Sequence, residues 1–89
     1  MVALDLLGRR WALRVLWELR DGPVGFRELR GRCDEMSSSV LRTRLVELIV
    51  ARLVAQDDDA RYALTDLGRD LGTSIRPLLR WAERWADAT

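Results

Sequence analysis

Residues 26–48 read FRELRGRCDEMSSSVLRTRLVEL and contain two helical patterns separated by a polar turn. In the first, Arg27 to Arg32, the spacing of the apolar residues turns Phe26 and Leu29 inward. The sequence therefore predicts a brief helix with a basic outer face, formed by Arg27 and Arg30.

The second pattern begins at three serines, Ser37 to Ser39, and serine at a helix start accepts hydrogen bonds from unpaired backbone amides. We expect a helix from Ser38 to Ala51 with one buried stripe of leucines and an opposite surface of small and basic groups. The stripe consists of Leu41, Leu45 and Leu48, and the opposite surface presents Ser39, Arg42, Thr43 and Val46, with Arg44 to one side.

Longer helical patterns flank this central segment. Upstream, Leu6 to Leu19 carries apolar residues at three- and four-residue intervals and ends at residues 21–23, DGP. Downstream, Thr65 and Asp66 open a helix that Pro77 is expected to bend. Its apolar stripe repeats at about 3.5 residues, which is typical of a helix packed on another helix. The stripe consists of Leu67, Leu71, Ser74, Leu78, Trp81 and Trp85.

Short β-compatible segments complete the chain. Residues 24–26, VGF, form a strand stub, while Leu53 to Gln56 and Arg61 to Leu64 predict a hairpin closed by residues 57–60, DDDA. A short helix, a tight connection, a second helix and then a hairpin is the winged helix-turn-helix order, in which the second helix enters the major groove of DNA. We therefore predict a mainly α fold with a small β-hairpin, and residues 1–89 as one domain.

The composition limits the classes of protein to consider. With 89 residues, 48% of them hydrophobic and 33% charged, the chain suits one globular domain that a dimer interface would stabilise. It has no signal-peptide pattern, no membrane-spanning stretch and one cysteine, so we expect a cytoplasmic protein without a membrane partner. The absence of histidine, of a glycine-rich phosphate loop and of clustered cysteines disfavours an enzyme, a cofactor or a metal site.

The basic residues are all arginines, fifteen in number. Arginine suits phosphates and guanine edges, although a genome rich in G and C would give the same bias. The net charge of +1 is unevenly distributed, with ten arginines and seven acidic residues in 1–52 but five and seven in 53–89. A surface that binds a polyanion is therefore expected in the first half.

Taken in order, these segments resemble the HxlR-type transcriptional regulators of bacteria, which belong with the larger group of MarR-like winged helix proteins. No single motif is specific, but all of them occur in this order and spacing. They are residues 7–11 (LGRRW), 16–19 (LWEL), 21–23 (DGP), 26–29 (FREL), Met36-Ser37, Leu41, Leu45, Glu47-Leu48, Leu53-Val54, 62–68 (YALTDLG) and Trp81.

The resemblance implies a homodimeric regulator that binds double-stranded DNA. The helix from Ser38 to Ala51 would read the major groove, and the hairpin would reach the neighbouring minor groove. Residues 1–20 and 66–89 would supply the dimerisation helices, where aromatic anchors on an apolar stripe suit an interface. The expected interface residues are Leu4, Leu7, Trp17, Leu78, Trp81 and Trp85.

Eight residues are predicted to contact DNA, some of them with an alternative role. Arg42 would pair with a guanine or lie on a solvated face. Arg44 would do the same or form an ion pair with Glu47 or Glu28, and Ser38 would bind DNA or cap its helix. The eight residues are Ser38, Ser39, Arg42, Thr43, Arg44, Arg27, Arg30 and Arg61.

A second basic cluster comprises Arg9, Arg10 and Arg14 near the start of the first helix. It would either touch the DNA backbone or pair with acidic residues of a partner subunit. The sequence does not choose between these alternatives.

Three features depart from the family pattern. The turn of the hairpin, residues 57–59, carries three aspartates that phosphate repels, which disfavours DNA contact by the wing, although Arg61 would offset part of the repulsion. Gly25 stands where relatives often have a basic residue. Arg52 replaces a glycine that ends the reading helix, where a left-handed conformation is costly for other residues.

Other functions stay open in the sequence. A winged fold that has lost DNA binding would act as a protein-interaction module, docking through its acidic hairpin. A small-molecule effector is compatible with the sequence but is not indicated. Cys33 is either a reactive thiol beside Arg30 and Arg32 or an unreactive buried one, and we favour the second. Some relatives sense oxidants through a cysteine ahead of the first helix, a residue this sequence lacks.

Overall fold

The computed structural model describes residues 2–89 and contains, within them, five helices and a two-stranded sheet. The predicted mainly α fold with a small hairpin is confirmed. The elements are α1 (Val2–Leu7), α2 (Ala12–Glu18), α3 (Phe26–Arg32), α4 (Ser38–Val50), β1 (Val54–Gln56), β2 (Tyr62–Leu64) and α5 (Asp66–Ala88).

The first helix differs from the sequence prediction. A single helix from Leu6 to Leu19 is wrong, because a turn over residues 8–11 divides this segment into α1 and α2. Gly8, a weak helix former, opens the turn, and Trp11 adopts a left-handed conformation with φ 76°. The apolar spacing continues across the turn, so periodicity alone does not reveal the break.

The helix-turn-helix is built around buried side chains of α3, α4 and their connection. Leu29, Cys33 and Leu41 have no solvent exposure. The connection turns sharply because Asp34 and Glu35 both adopt left-handed conformations, with φ of 58° and 56°. Its tightness fixes where α4 starts relative to α3.

The ends of α4 are defined by Ser37 and Arg52. The Ser37 hydroxyl accepts a hydrogen bond from the amide of Val40 at 3.5 Å, so Ser37 caps the helix. The capping role considered for Ser38 is therefore wrong, since Ser38 is the first helical residue. Past the other end, Arg52 has φ 66°, the left-handed conformation that glycine would adopt at lower cost.

The predicted hairpin is confirmed, and the strand stub joins it. The amide of Val24 donates to the carbonyl of Tyr62 at 2.8 Å, and the amide of Tyr62 donates back at 2.8 Å. The hairpin strands are antiparallel, with Val54 opposite Leu64, Ala55 opposite Ala63 and Gln56 opposite Tyr62.

Helix α5 starts at a well-defined cap and leaves the core. The Thr65 hydroxyl accepts from the amide of Gly68 at 3.1 Å and donates to the carbonyl of Arg52 at 2.6 Å. Gly68 packs so closely on the strand entry that a Cβ there would lie 2.2 Å from the Leu53 carbonyl oxygen. The helix continues through Pro77, and most side chains in its second half are exposed.

The core lies where α2, α3, α4 and the hairpin meet. The leucine stripe predicted for α4 is confirmed, with its members at most 2% exposed. No helix among residues 2–89 is long and apolar enough to cross a membrane. The buried core residues are Val15, Leu16, Leu19, Val24, Leu29, Cys33, Met36, Leu41, Leu45, Leu48, Leu53, Val54 and Leu64.

Candidate nucleic-acid interface

The outer face of α4 is exposed and unusual in composition. Because its leucines are buried, the helix presents its other side to solvent. Two valines on it are strongly exposed, Val46 at 60% and Val50 at 76%. The exposed side chains of this face are Ser39, Arg42, Thr43, Val46 and Val50.

Arg42 lies on this face against an aromatic ring. Its Cζ atom is 4.5 Å from the centroid of the Phe26 ring, which itself packs on the core. Among residues 2–89 no carboxylate pairs with Arg42 and no side-chain hydrogen bond engages it. Within the described residues its N–H donors are therefore not engaged by other protein groups.

Arg44 has a different environment, although it is only two residues away. Its guanidinium forms an ion pair with Glu47, and its Nε donates to the carbonyl of Arg10 at 2.7 Å. Arg9 pairs with the same carboxylate at 2.8 Å. The Arg44 side chain is 18% exposed, so its charge is neutralised and it ties α4 to the turn before α2.

The arginines of α3 also fall into two groups. Arg27 is exposed, and no ion pair involves it within the described part of the chain. Arg30 donates to the carbonyl of Met36 at 2.7 Å and lies 3.8 Å from a carboxylate oxygen of Glu35. Arg32 pairs with Glu28 at 2.9 Å. Only Arg27 offers an uncommitted charge on this helix.

The small polar residues at the start of α4 make local hydrogen bonds. The hydroxyls of Ser37 and Ser39 lie 2.9 Å apart, and the Thr43 hydroxyl donates to the carbonyl of Ser39 at 2.9 Å. Ser38 is exposed. These hydroxyls retain acceptor capacity toward solvent.

Two members of the second basic cluster, Arg9 and Arg14, pair with acidic residues of the same chain, whereas Arg10 lies over the Trp11 ring. Arg14 pairs with Glu18 at 2.8 Å and with Asp34 at 3.2 Å, and it donates to the carbonyl of Arg32. The hydrogen bond to Glu18 raises the pKa of Arg14 above its ordinary value. Both alternatives drawn from sequence missed these partners, which join α2 to the sharp turn between α3 and α4.

The tip of the wing is acidic and internally bonded. One Asp57 oxygen accepts from the amides of Asp59 and Arg61, both at 2.9 Å, and the other pairs with the Arg61 guanidinium at 3.1 Å. Chiefly the amide of Arg61 lowers the pKa of the Asp57 carboxyl. Arg61 also lies 3.5 Å from Asp59, so the one basic residue of the tip is matched by acids of the tip.

Cys33 lies beneath this region, inside the core. It has no solvent exposure, and burial raises the pKa of its thiol despite nearby Arg14. Burial and the raised pKa both favour the neutral thiol. Because the thiolate is the reactive form, we expect Cys33 to react slowly.

The residues expected at a dimer interface lie mainly on the outside. Leu4 is 63% exposed, and Trp17 lines a cavity of about 220 Å³ between α2 and α5. On α5 the rings of Trp81 and Trp85 stack with centroids 6.3 Å apart. Leu78 is also exposed, whereas Leu7 is half-buried. Within residues 2–89 this part of α5 has no apolar cover.

Sequence reasoning missed two contacts that organise the site. It placed Phe26 simply inward, whereas the ring also carries Arg42. It placed Arg9 with DNA or a partner subunit, whereas Arg9 shares Glu47 with Arg44. Both contacts join residues far apart in the chain, so no local pattern signals them.

A helix-turn-helix with an exposed second helix and a following two-stranded hairpin defines a winged helix-turn-helix protein. The family model for HxlR-like helix-turn-helix proteins matches residues 6–89, and the chain belongs to that family. The resemblance drawn from the sequence is thereby confirmed.

Individual relatives agree with the family assignment. The chain is 33% identical over 91 residues to the uncharacterised HTH-type transcriptional regulator YvaP of Bacillus subtilis, covering 96% of this chain and 84% of that protein. The quinone-bound crystal structure of YodB from B. subtilis superposes with a TM-score of 0.86 at 31% identity, covering 93% of this chain and 92% of that one.

A more distant structure gives the same result. A possible HxlR family transcriptional factor from Thermoplasma volcanium superposes with a TM-score of 0.85 at 28% identity, covering 96% of this chain and 82% of that one. The protein is therefore a transcriptional regulator with a helix-turn-helix DNA-binding domain, and its relatives are regulators rather than enzymes.

Proposed function

We propose that the protein is a homodimeric, sequence-specific regulator that inserts α4 into the major groove of duplex DNA. The observation that carries this proposal is the exposed face of α4, where no ion pair or hydrogen bond from residues 2–89 engages the Arg42 guanidinium beside small polar and apolar side chains. An arginine in this state can pair two donors with guanine. Such a regulator acts where the chromosome lies, which in a bacterium is the cytoplasm.

The contacts divide by chemistry. Arg42 would donate to a guanine edge, with Ser39 and Thr43 as hydroxyl partners for neighbouring bases or phosphates. Arg27, exposed and without an ion pair in residues 2–89, would hold a phosphate. Arg30 of α3 and Ser38 at the start of α4 would support the contact with the DNA backbone.

Arg44 and Arg61 have other roles in this proposal. Arg44 is neutralised by Glu47, so it would fix the position of α4 rather than read a base. Arg61 is matched by Asp57 and Asp59, and the tip as a whole is negative. Because phosphate repels carboxylates, we expect the wing to contribute little to DNA affinity.

The dimer would form through the terminal segments, residues 1–20 and 66–89. Trp81 and Trp85 are half exposed or more on a helix that reaches beyond the core, and large aromatic side chains are the usual anchors of interfaces. Leu78, Leu4, Leu7 and Trp17 would complete the apolar surface.

Selection from a random-sequence duplex library tests the proposal. We expect enrichment of a pseudo-palindrome with half-sites about one helical turn, roughly 34 Å, apart. Duplex binding without enrichment of any motif would contradict sequence-specific recognition. An enriched motif without two-fold symmetry would contradict the homodimer.

The acidic tip supports a second candidate, a protein-interaction module that no longer binds DNA. Three adjacent aspartates with one matching arginine form a surface suited to a basic partner. Retention on heparin at low salt separates the candidates. A DNA-binding protein elutes late, whereas a docking module washes through.

A further inference from the structure

Phe26 has two neighbours that give its ring a role beyond the core. The ring is half-buried and packs against the hydrophobic core. The Cζ atom of Arg42 lies over the ring, 4.5 Å from its centroid. Building on the proposed function, we propose that Phe26 is a positioning residue that holds Arg42 for the readout of a guanine.

The geometry of a guanidinium explains why stacking suits this purpose. Its face attracts an aromatic ring, while its N–H donors point outward within its own plane. A stacked arginine therefore loses conformational freedom without losing donors. An arginine paired with a carboxylate, as Arg44 is with Glu47, has donors already occupied.

The location of the ring adds a second reason. Phe26 is the first residue of α3, and the sharp turn at Asp34 and Glu35 sets α4 beside it. The ring is thus held by the core before DNA arrives. Preorganisation of this kind raises discrimination because fewer side-chain rotations are lost on binding.

The test uses an operator selected by the wild-type protein, in which guanines are replaced one at a time by 7-deazaguanine. This base lacks the N7 acceptor and keeps O6, so it reports a bidentate arginine contact. Wild-type protein should lose about tenfold or more in affinity at one guanine of each half-site. R42A should show no loss at that base.

The Phe26 variants then separate the positioning of Arg42 by the aromatic ring from a simple apolar packing role of the side chain. F26L keeps an apolar side chain and removes the ring, and its sensitivity to 7-deazaguanine should fall about three- to tenfold below that of wild type. F26Y keeps the ring and should retain the wild-type ratio. The ratio of two affinities does not depend on the folded fraction, and F26M carries the same comparison if F26L does not fold.

Three contrary outcomes show which part of the proposal fails. A wild-type protein that selects no operator overturns the proposed function itself. A wild-type protein that selects one, with F26L as sensitive to 7-deazaguanine as wild type, overturns the positioning role while leaving the function intact. If F26L lowers the affinity for the unmodified operator by the same factor in the R42A background as in wild type, the positioning role is also overturned, because the ring would then act independently of Arg42.

An independent observation concerns the exposed valines. Val46 lies one turn after Arg42 on the same face, is 60% exposed, and adjoins the still more exposed Val50. The methyl group of thymine is the apolar group that bases present in the major groove. We infer that Val46 contacts a thymine methyl about two base pairs from the guanine, since one helical turn advances roughly 5.4 Å.

Replacing each thymine of the operator by deoxyuridine tests this inference, because only the methyl group is removed. Wild-type protein should bind about threefold more weakly at one such position, the amount expected for losing a buried methyl group. V46A should be indifferent there, and V50A serves as the matched control with wild-type sensitivity. Wild-type indifference at every thymine, or equal sensitivity in V46A, overturns the assignment.

Discussion

Two neighbouring arginines of α4 differ in role because they differ in partner. Arg42 faces the Phe26 ring and keeps its donors, while Arg44 meets Glu47 and the backbone of the preceding turn. The sequence predicted a DNA contact for both and gave Arg44 an ion pair with Glu47 or Glu28 as an alternative, and the structure contains the pair with Glu47. The contacts with Phe26 and with the backbone of Arg10 join residues far apart in sequence, so only the tertiary structure reveals them.

Substitution should therefore separate folding from binding at these residues. R44A removes an ion-pair partner of half-buried Glu47, so it should lower the free energy of unfolding by about 1 kcal/mol. R42A removes a solvent-facing charge and should change it by less than about 0.5 kcal/mol. Urea denaturation measures both, and equal destabilisation would contradict the distinction.

Cys33 should behave as a buried, neutral thiol. Burial raises its pKa, so folding is favoured below the ordinary thiol pKa and this contribution is lost as pH rises through the raised value. At pH 8 we expect slow reaction with a thiol reagent in buffer and fast reaction in denaturing urea. Fast labelling of the native protein would refute this expectation.

At the level of elements, sequence patterns located α4, the hairpin and α5. The leucine stripe of α4 is buried in the core, whereas most of the stripe predicted for α5 is exposed. Patterns failed at α1 and α2, where apolar spacing continues through a turn set by Gly8 and left-handed Trp11. They also misplaced the cap of α4, since three consecutive serines offer the same chemistry and only backbone geometry selects Ser37. Sequence therefore predicts elements better than their ends.

Two glycines of α5 provide a matched pair. A Cβ on Gly68 would lie 2.2 Å from a backbone oxygen of Leu53, whereas a Cβ on Gly72 meets no atom within 4 Å. G68A should destabilise the fold by about 2 kcal/mol or more, because helix and strand entry must separate. G72A should be neutral or stabilising by up to about 1 kcal/mol, since alanine favours a helix.

Thermal unfolding at equal protein concentration checks the pair. G68A should have a lower Tm than wild type, and G72A should have an unchanged or higher Tm. If G68A were as stable as wild type, Gly68 of α5 would not pack closely against the Leu53 backbone.

For the whole molecule, the proposed dimer depends on α5. Replacing both Trp81 and Trp85 by alanine should remove two anchors and weaken dimerisation by at least about thirtyfold, as expected for the loss of interface hot spots. Sedimentation over a concentration series measures the change. Val50 is more exposed than either tryptophan but lies on α4, so V50A should leave dimerisation unchanged.

The sedimentation result has a clear contrary outcome. If the double tryptophan variant associates like wild type, the dimer does not form through this part of α5. The sequence indicated this surface by the spacing of its stripe, but its role stays a prediction because a single chain does not display its partner.

Charge is also organised over the whole molecule. The excess of arginine in residues 1–52 predicted a basic half, yet most of those arginines are paired with acids of the same chain. DNA affinity should therefore depend on few residues, chiefly Arg42 and Arg27, rather than on total charge.

The most direct measurement is the affinity of wild type, R42A and R44A for the selected operator and for a shuffled duplex of the same composition. If α4 reads the groove through Arg42, R42A should lose about 1–3 kcal/mol on the operator and little on the shuffled duplex. R44A, once its stability is matched by temperature, should retain the wild-type preference. Equal loss by R42A on both duplexes would contradict the central claim.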